Sequence, residues 1–301
     1  GNYYYNKELN EDKDYCIYTD TDSVFYPAVP LVKSRYPDAN VEDEEFMTEK
    51  ILEIADGVQG FLNQTYDQFA KRFLNCDEHR FDIKQELIAR SAFWVTKKRY
   101  GQWIINDGGV KCDKLDVKGL DIVRSSFPPA FRKLMTDVLQ GILSNRDKEE
   151  LDDMIVTFKK EMKYLPLDDV ALPTGVKGLT KFADKRNKHN GIFTAMHKGT
   201  PVHVKAAWIY NDLLKYHKLE NVEKIKNSEK IKWVYLKQNP LSITQIAFKG
   251  YDDPQEIMDY INQYVDHDKL FKKGLQKKID MFYDSMEWTL IDKENTLERF
   301  F

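Results

Sequence analysis

A tight chain reversal is written into residues 15–26. Tyr15-Cys16-Ile17 and Val24-Phe25-Tyr26 are short strand-forming runs, and between them stands Tyr18-Thr19-Asp20-Thr21-Asp22-Ser23. Such a block folds as an antiparallel hairpin with two acids in its turn. Side chains two apart share a face of a strand, a rule that bends at a turn, so one acid alone can be the full ligand. Two acids held there can bind a hard divalent cation, as phosphoryl-transfer chemistry needs. The alternative is a pair of solvated turn acids.

Beyond the hairpin the pattern is α+β. Met47, Ile51, Ile54, Val58, Phe61 and Leu62 recur at helical spacing, and the period runs on through Phe69 and Phe73. Gly57 and Gly60 weaken this helix without breaking it. Residues 81–89, 92–96 and 100–105 read as strands. Asn106-Asp107-Gly108-Gly109 signals a turn into another strand near 110–117. Beyond Gly119 the pattern turns helical, with helices expected at 128–143, 148–164, 201–219, 254–265 and 269–286. Thr200 is the expected N-cap of the third. One short β element is expected at 231–236, and 165–198 lacks a period and reads as irregular. The boundary falls near Asp121, giving domains 1–121 and 122–301.

With 301 residues and 42% hydrophobic content, the chain can bury a sizeable core. Its net charge is only −3, but the charge is sorted. Eleven Lys/Arg outnumber the acids across 84–133, and 177–205 holds seven against one acid, with three histidines. Basic stretches of this kind face a polyanion or are simply solvated faces. Cys16, Cys76 and Cys112 are too few and scattered for a disulfide framework, which points to a reducing compartment. Cys76 and His79 have metal-pair spacing, but no second pair completes a zinc site. No apolar run reaches the ~18 residues of a membrane span, and no signal peptide is legible; Gly1 reads as a cloning remnant. There is no Ser-His-Asp order, HExxH motif or phosphate-binding glycine loop, which removes the common hydrolase and nucleotide-loop classes.

Three further features carry candidate chemistry. Glu86 stands in an expected strand, from which a neighbour could bring it beside Asp22; alone, it reads as a solvated acid. Lys97-Lys98-Arg99-Tyr100 joins two expected strands. It is either a charged turn or a grip on a phosphate backbone, with Tyr100 against a sugar or base edge. In the tail, Leu297, Phe300 and Phe301 have i, i+3, i+4 spacing. One helical turn would present them together to a partner's pocket, unless the tail folds back onto its own core.

Together these residues resemble the C-terminal part of a family B DNA polymerase, most like those of tailed phages. The six hairpin residues resemble the family's motif C, usually Tyr-Gly-Asp-Thr-Asp-Ser, with Thr19 in place of Gly. Lys84-Gln85-Glu86 resembles the segment that places a further acid near the catalytic centre. Lys97-Lys98-Arg99-Tyr100 matches the Lys-Lys-x-Tyr motif that holds the primer–template duplex. Lys118-Gly119-Leu120-Asp121 through Arg124 resembles the entry into the thumb, which adds Lys118 and Arg124 to the DNA contacts. Gly199-Thr200-Pro201-Val202-His203 is similar to a phage thumb element. The tail is similar to sliding-clamp binding peptides, with Glu294 where Gln is favoured.

The resemblance implies a partial polymerase palm, an antiparallel β-sheet with a helix, followed by a mainly helical thumb. It implies transfer of a nucleotide from a deoxynucleoside triphosphate to a primer 3′-oxygen, with two Mg²⁺ ions. Asp22 would be the main ligand, Asp20 a supporting acid and Glu86 a nearby third. Motif A with the second metal-binding Asp, the fingers and the exonuclease are not found in this sequence. Two explanations fit: the chain is a fragment of a longer polymerase, or the gene is split and an N-terminal polymerase half carrying these parts is a partner. Primer–template DNA and a sliding clamp are the other implied partners, with no membrane. The setting would be cytoplasmic, in the host if the chain is phage-encoded. Alone the chain would be inactive. The rival expectation is a non-catalytic DNA- or clamp-binding accessory protein with a degenerate palm.

Overall fold

The structure is a computed structural model. It describes residues 1–291 apart from 82, 184, 185, 190–192 and 197, with backbone alone at 186–189 and 193–196. The expected tail contacts Leu297, Phe300 and Phe301 lie outside the described residues. The chain divides into two units, Gly1–Lys118 and Gly119–Phe301.

The first unit opens with α1 (Asn2–Leu9), the hairpin β1 (Tyr18–Asp20) and β2 (Ser23–Phe25), then α2 (Val29–Arg35) and α3 (Glu44–Phe69). Helix α3 starts where the Asp43 carboxylate accepts the Phe46 N–H at 3.0 Å, an N-cap. It passes both glycines unbroken and ends in a π-helical turn, Ala70–Leu74. Tyr5, Leu31, Val32, Met47 and Ile54 are buried together, with Ile51, Val58, Tyr15 and Tyr26 packed against them. The apolar stripe of α3 thus finds its partners in α1, α2 and the hairpin flanks. Arg35 clamps α2 to α1 by two bonds to the Glu8 carboxylate, at 2.5 and 3.0 Å.

Three strands come next as an antiparallel meander: β3 (Leu87–Thr96), β4 (Arg99–Asp107) and β5 (Val110–Lys118). The β4–β5 turn pairs Asp107 with Val110 around Gly108 and Gly109, whose φ values are 58° and 86°. Two successive positive φ values define the mirror-image hairpin turn that glycine supplies.

The strand expected at 81–89 begins only at Leu87. Residues on either side of 82 are instead tied to α3, where the His79 N–H meets the Asp67 carboxylate and the Gln85 N–H meets the Gln59 side-chain oxygen, both at 3.0 Å. Helix side chains satisfy these backbone donors, so the extended segment needs no strand partner.

The second unit packs α4 (Pro129–Leu143), α5 (Lys148–Glu161), α6 (Leu167–Val170), α7 (Val202–Tyr216), α8 (Gln255–Tyr264), α9 (His267–Leu270) and α10 (Lys277–Ser285), with a π-helical stretch, Phe271–Gln276, between the last two. Its buried side chains include Phe131, Leu139, Leu151, Ile155, Tyr210, Phe248, Phe282 and Tyr283. The expected β element is a strand, Lys230–Tyr235, flanked on either side by Leu172–Gly175 and Gln245–Phe248. A second strand pair, Arg186–His189 with Phe193–Met196, lies in the stretch expected to be irregular. Pro173 is tolerated because its strand is at the sheet edge. Thr200 does not cap α7. Pro201 holds the N-cap position, and the buried Thr200 hydroxyl finds no hydrogen-bond partner among the described residues.

Asp152 carries the main buried polar network. Its carboxylate accepts from the Tyr283 hydroxyl at 2.8 Å and the Ile291 N–H at 3.3 Å, and pairs with Lys148 at 2.5 Å. Burial and this carboxylate both push the Tyr283 phenol up, so it stays a donor.

Candidate functional site

The hairpin positions its two acids differently. Asp20 ends β1 opposite Ser23, while Asp22 sits in the turn, exposed. The Asp22 N–H donates to the Asp20 carbonyl at 2.5 Å across Thr21, whose φ is 45°. A β-branched residue at positive φ is strained, and strain of this kind persists only where its surroundings over-determine it. The Thr21 hydroxyl, 3.2 Å from an Asp20 carboxylate oxygen, is one such tie. Thr19, the departure from the family pattern, pairs with Val24 in extended backbone with its side chain exposed, so the position has no need of glycine.

Four aromatic rings hold this hairpin against the far tip of the β3–β4 hairpin. Tyr18 lies 6.0 Å from Phe25, 6.4 Å from Trp94 and 5.6 Å from Tyr100, centroid to centroid. Phe25 also meets Trp94 and Tyr100 edge-on, at 5.7 and 6.0 Å. The Lys98 N–H donates to the Tyr18 hydroxyl at 2.9 Å. Lys98 itself turns the chain with φ 62° between the paired Thr96 and Arg99. Its ammonium group reaches an Asp20 carboxylate oxygen at 3.3 Å. Two motifs 78 positions apart in sequence are therefore one site.

The Lys98–Asp20 pair is loosely held, since Lys98 is 64% exposed and Asp20 29%. Exposed pairs of this kind contribute about 1 kcal/mol or less, so the cation can be displaced. The Asp22 carboxylate makes no hydrogen bond or ion pair among the described residues. Lys97 is exposed beside the turn, and burial, with the Asp116 charge nearby, raises the Tyr100 phenol so that it remains a neutral donor. Lys118 is exposed and pairs with Asp116 at 3.1 Å. In the second unit Arg124 pairs with Asp121 at 3.3 Å, and Lys278 meets the same acid at 2.9 Å.

Glu86 is not brought beside Asp22. Its carbonyl accepts the Gly108 N–H at 2.7 Å, at the end of the β3–β4 hairpin opposite Lys97 and Lys98. The ten residues of β3 separate those ends, about 30 Å of strand at ~3.3 Å per residue. The cause is the same as for the lost strand: His79 and Gln85 are tied to side chains of α3. Tyr18, Phe25 and Trp94 are site residues to which the sequence motifs assign no role. Their one sequence signal is that aromatic residues flank both turns, which does not say that the two sets meet.

Two all-oxygen ligands on one turn suit a hard divalent cation as part of a ligand set. No group of three or more His, Cys, Asp or Glu that could hold a metal occurs among the described residues. No helix among them is long and apolar enough to cross a membrane.

The sequence profile of DNA polymerase family B matches residues 63–285. That span contains the Lys97–Tyr100 turn and Arg124; Asp20 and Asp22 precede it. The DNA-directed DNA polymerase of Enterobacteria phage T4 is 23% identical over 292 residues, covering 92% of this chain and 31% of that polymerase. The chain thus spans about a third of that relative's length.

Proposed function

The chain belongs to DNA polymerase family B, and from that premise we propose that it forms the C-terminal palm and the thumb of a DNA-directed DNA polymerase. Residues 1–121 would be the palm portion and 122–301 the thumb. Asp22 and Asp20 would hold Mg²⁺, which would stabilise negative charge on the phosphoryl oxygens during nucleotide transfer. The chain's own residues have defined tasks. Lys97, Lys98 and Arg99 grip the duplex backbone as charges, and Tyr100, a neutral phenol, packs at a sugar or base edge. Lys118 and Arg124 would add further contacts to the DNA backbone. The Tyr18 ring and hydroxyl fix the distance between the duplex grip and the acids.

One observation carries this reading: the 3.3 Å contact between Lys98 and Asp20. If Lys98 holds the duplex and Asp20 the metal, this contact supports the reading, since a polymerase needs both at the primer terminus. Glu86 is left out of the proposed ligand set, because its backbone pairs with Gly108 at the other end of the β3–β4 hairpin. The completing acid then comes from a polypeptide carrying motif A, fingers and exonuclease, joined to this chain or separate. The tail residues Leu297, Phe300 and Phe301 are a clamp-binding peptide on sequence pattern alone, and the setting is the cytoplasm.

The test is reconstitution. The purified chain binds primer–template DNA without extending it, and adding the complementary polymerase polypeptide restores synthesis from deoxynucleoside triphosphates. Robust extension by the chain alone contradicts the proposal. Retained synthesis after loss of the acids favours a non-catalytic accessory role.

A further inference from the structure

The first unit carries an exposed apolar surface that the proposed chemistry does not use. It lies where α3 passes into its π-helical turn. Phe73, Leu74 and Phe81 are 64%, 61% and 66% exposed, and Tyr66 and Phe69 are exposed beside them. Four of the rings meet in two pairs: Phe69 and Phe73 are tilted against each other at 5.0 Å, and Tyr66 meets Phe81 edge-on at 5.5 Å. Tyr66, Phe69 and Phe73 follow i, i+3, i+7 spacing, so they share one helix face. Five large side chains at these exposures leave about 500 Å² of apolar surface in water, the size at which a patch on a soluble protein marks an interaction site. Lys71 and Arg72 stand at its edge, with Arg72 over the Phe73 ring at 5.3 Å. An apolar centre with a charged rim is the usual anatomy of a protein interface.

We infer that this face docks the polypeptide that completes the polymerase, the part corresponding to the two thirds of the phage T4 relative that this chain does not span. The inference rests on the polymerase reading above. The occupant is identified by three points. The missing length is large, so it can bury a surface of this size. The patch is aromatic and only rimmed by charge, which suits a lasting protein contact and not a nucleic-acid backbone. Its area is more than half of the ~800 Å² that one partner contributes to a standard interface. The π-helical turn widens the end of α3 and spreads Phe69, Phe73 and Leu74 into a broader face than a regular helix would offer.

The experiment uses the full chain and the separately expressed exonuclease–motif A–fingers polypeptide, with capture followed by titration. Phe73→Lys with Phe81→Lys is expected to weaken capture at least tenfold. Primer–template binding by the variant alone should equal that of the parent chain, because neither residue contributes to the duplex grip. Phe69→Lys with Leu74→Lys serves as a second variant, and far-ultraviolet circular dichroism checks the fold of both. Unchanged capture by both variants overturns the inference and leaves the polymerase reading standing if the pair still synthesises DNA. Failure of the parent chain to capture the polypeptide overturns it as well. A parent chain that self-associates, and loses self-association on substitution, assigns the face to a second copy and also overturns it. Capture without any synthesis by the parent pair instead refutes the polymerase reading.

Discussion

Tyr18 joins the Lys97–Tyr100 turn to the acidic hairpin, and replacing it separates two contributions. Tyr18→Phe keeps the ring and removes only the acceptor of the Lys98 N–H, a 2.9 Å bond. A net hydrogen bond of this kind contributes about 1 kcal/mol, because water can replace it at a part-exposed site. Tyr18→Ala also removes the contacts to Phe25, Trp94 and Tyr100. A half-buried tyrosine takes roughly 100 Å² out of water, about 2.5 kcal/mol at 25 cal/mol per Å². The readout is native-state hydrogen exchange at the Lys98 amide and the amides of 18–25. For Tyr18→Phe the Lys98 amide should exchange about fivefold faster, as ~1 kcal/mol implies, with the hairpin amides unchanged. For Tyr18→Ala the Lys98 amide should speed up by several hundredfold and the hairpin amides by about seventyfold, limited by the opening energy of the unit. If Lys98 exchanges equally in parent and Phe variant, the hydroxyl does not hold the turn. If the two regions respond independently in the Ala variant, the aromatic cluster does not make them one site.

Other expectations rest on single features. Gly109→Ala forces a side chain into φ 86° where no atom lies within 4 Å of the new Cβ, so the cost is backbone strain of about 1–2 kcal/mol. Denaturant unfolding of the first unit reads it, and an unchanged midpoint refutes the turn assignment. Lys97→Ala with Lys98→Ala should reduce the salt dependence of primer–template binding by about two units of log–log slope. An unchanged slope would remove both lysines from the phosphate contacts. Phe300→Ala with Phe301→Ala should abolish capture by the cognate sliding clamp and leave DNA binding unaltered; equal clamp retention refutes the tail's role.

The sequence revealed those parts of the molecule whose partners lie nearby in the chain. The hairpin at Asp20 and Asp22 is legible because both strands and the turn fall within twelve residues. Helix α3 is legible because its apolar period survives Gly57 and Gly60, which cost helix propensity but not packing. The meander turn at Gly108 and Gly109 is legible because two positive φ values demand glycine. Failures came where the partner was distant or of another kind. Residues 81–86 have strand composition, yet the side chains of Asp67 and Gln59 take nearby backbone donors along the helix. That displacement also separates Glu86 from the acids. The strands Leu172–Gly175 and Gln245–Phe248 are too short to express a period, and the first carries a proline that only an edge strand admits. The meeting of Asp20 with Lys98 is set by four aromatic rings, and no local pattern encodes it.

The central claim is that Asp22 belongs to a polymerase metal site completed by another polypeptide. The most direct measurement is primer extension by the reconstituted pair carrying Asp22→Ala, with primer–template binding measured on the same sample. The account predicts that synthesis falls by at least a thousandfold, the loss of about 4 kcal/mol of transition-state stabilisation, while DNA binding stays within twofold or so of the parent pair. Synthesis at the parent rate with Asp22 removed would contradict it.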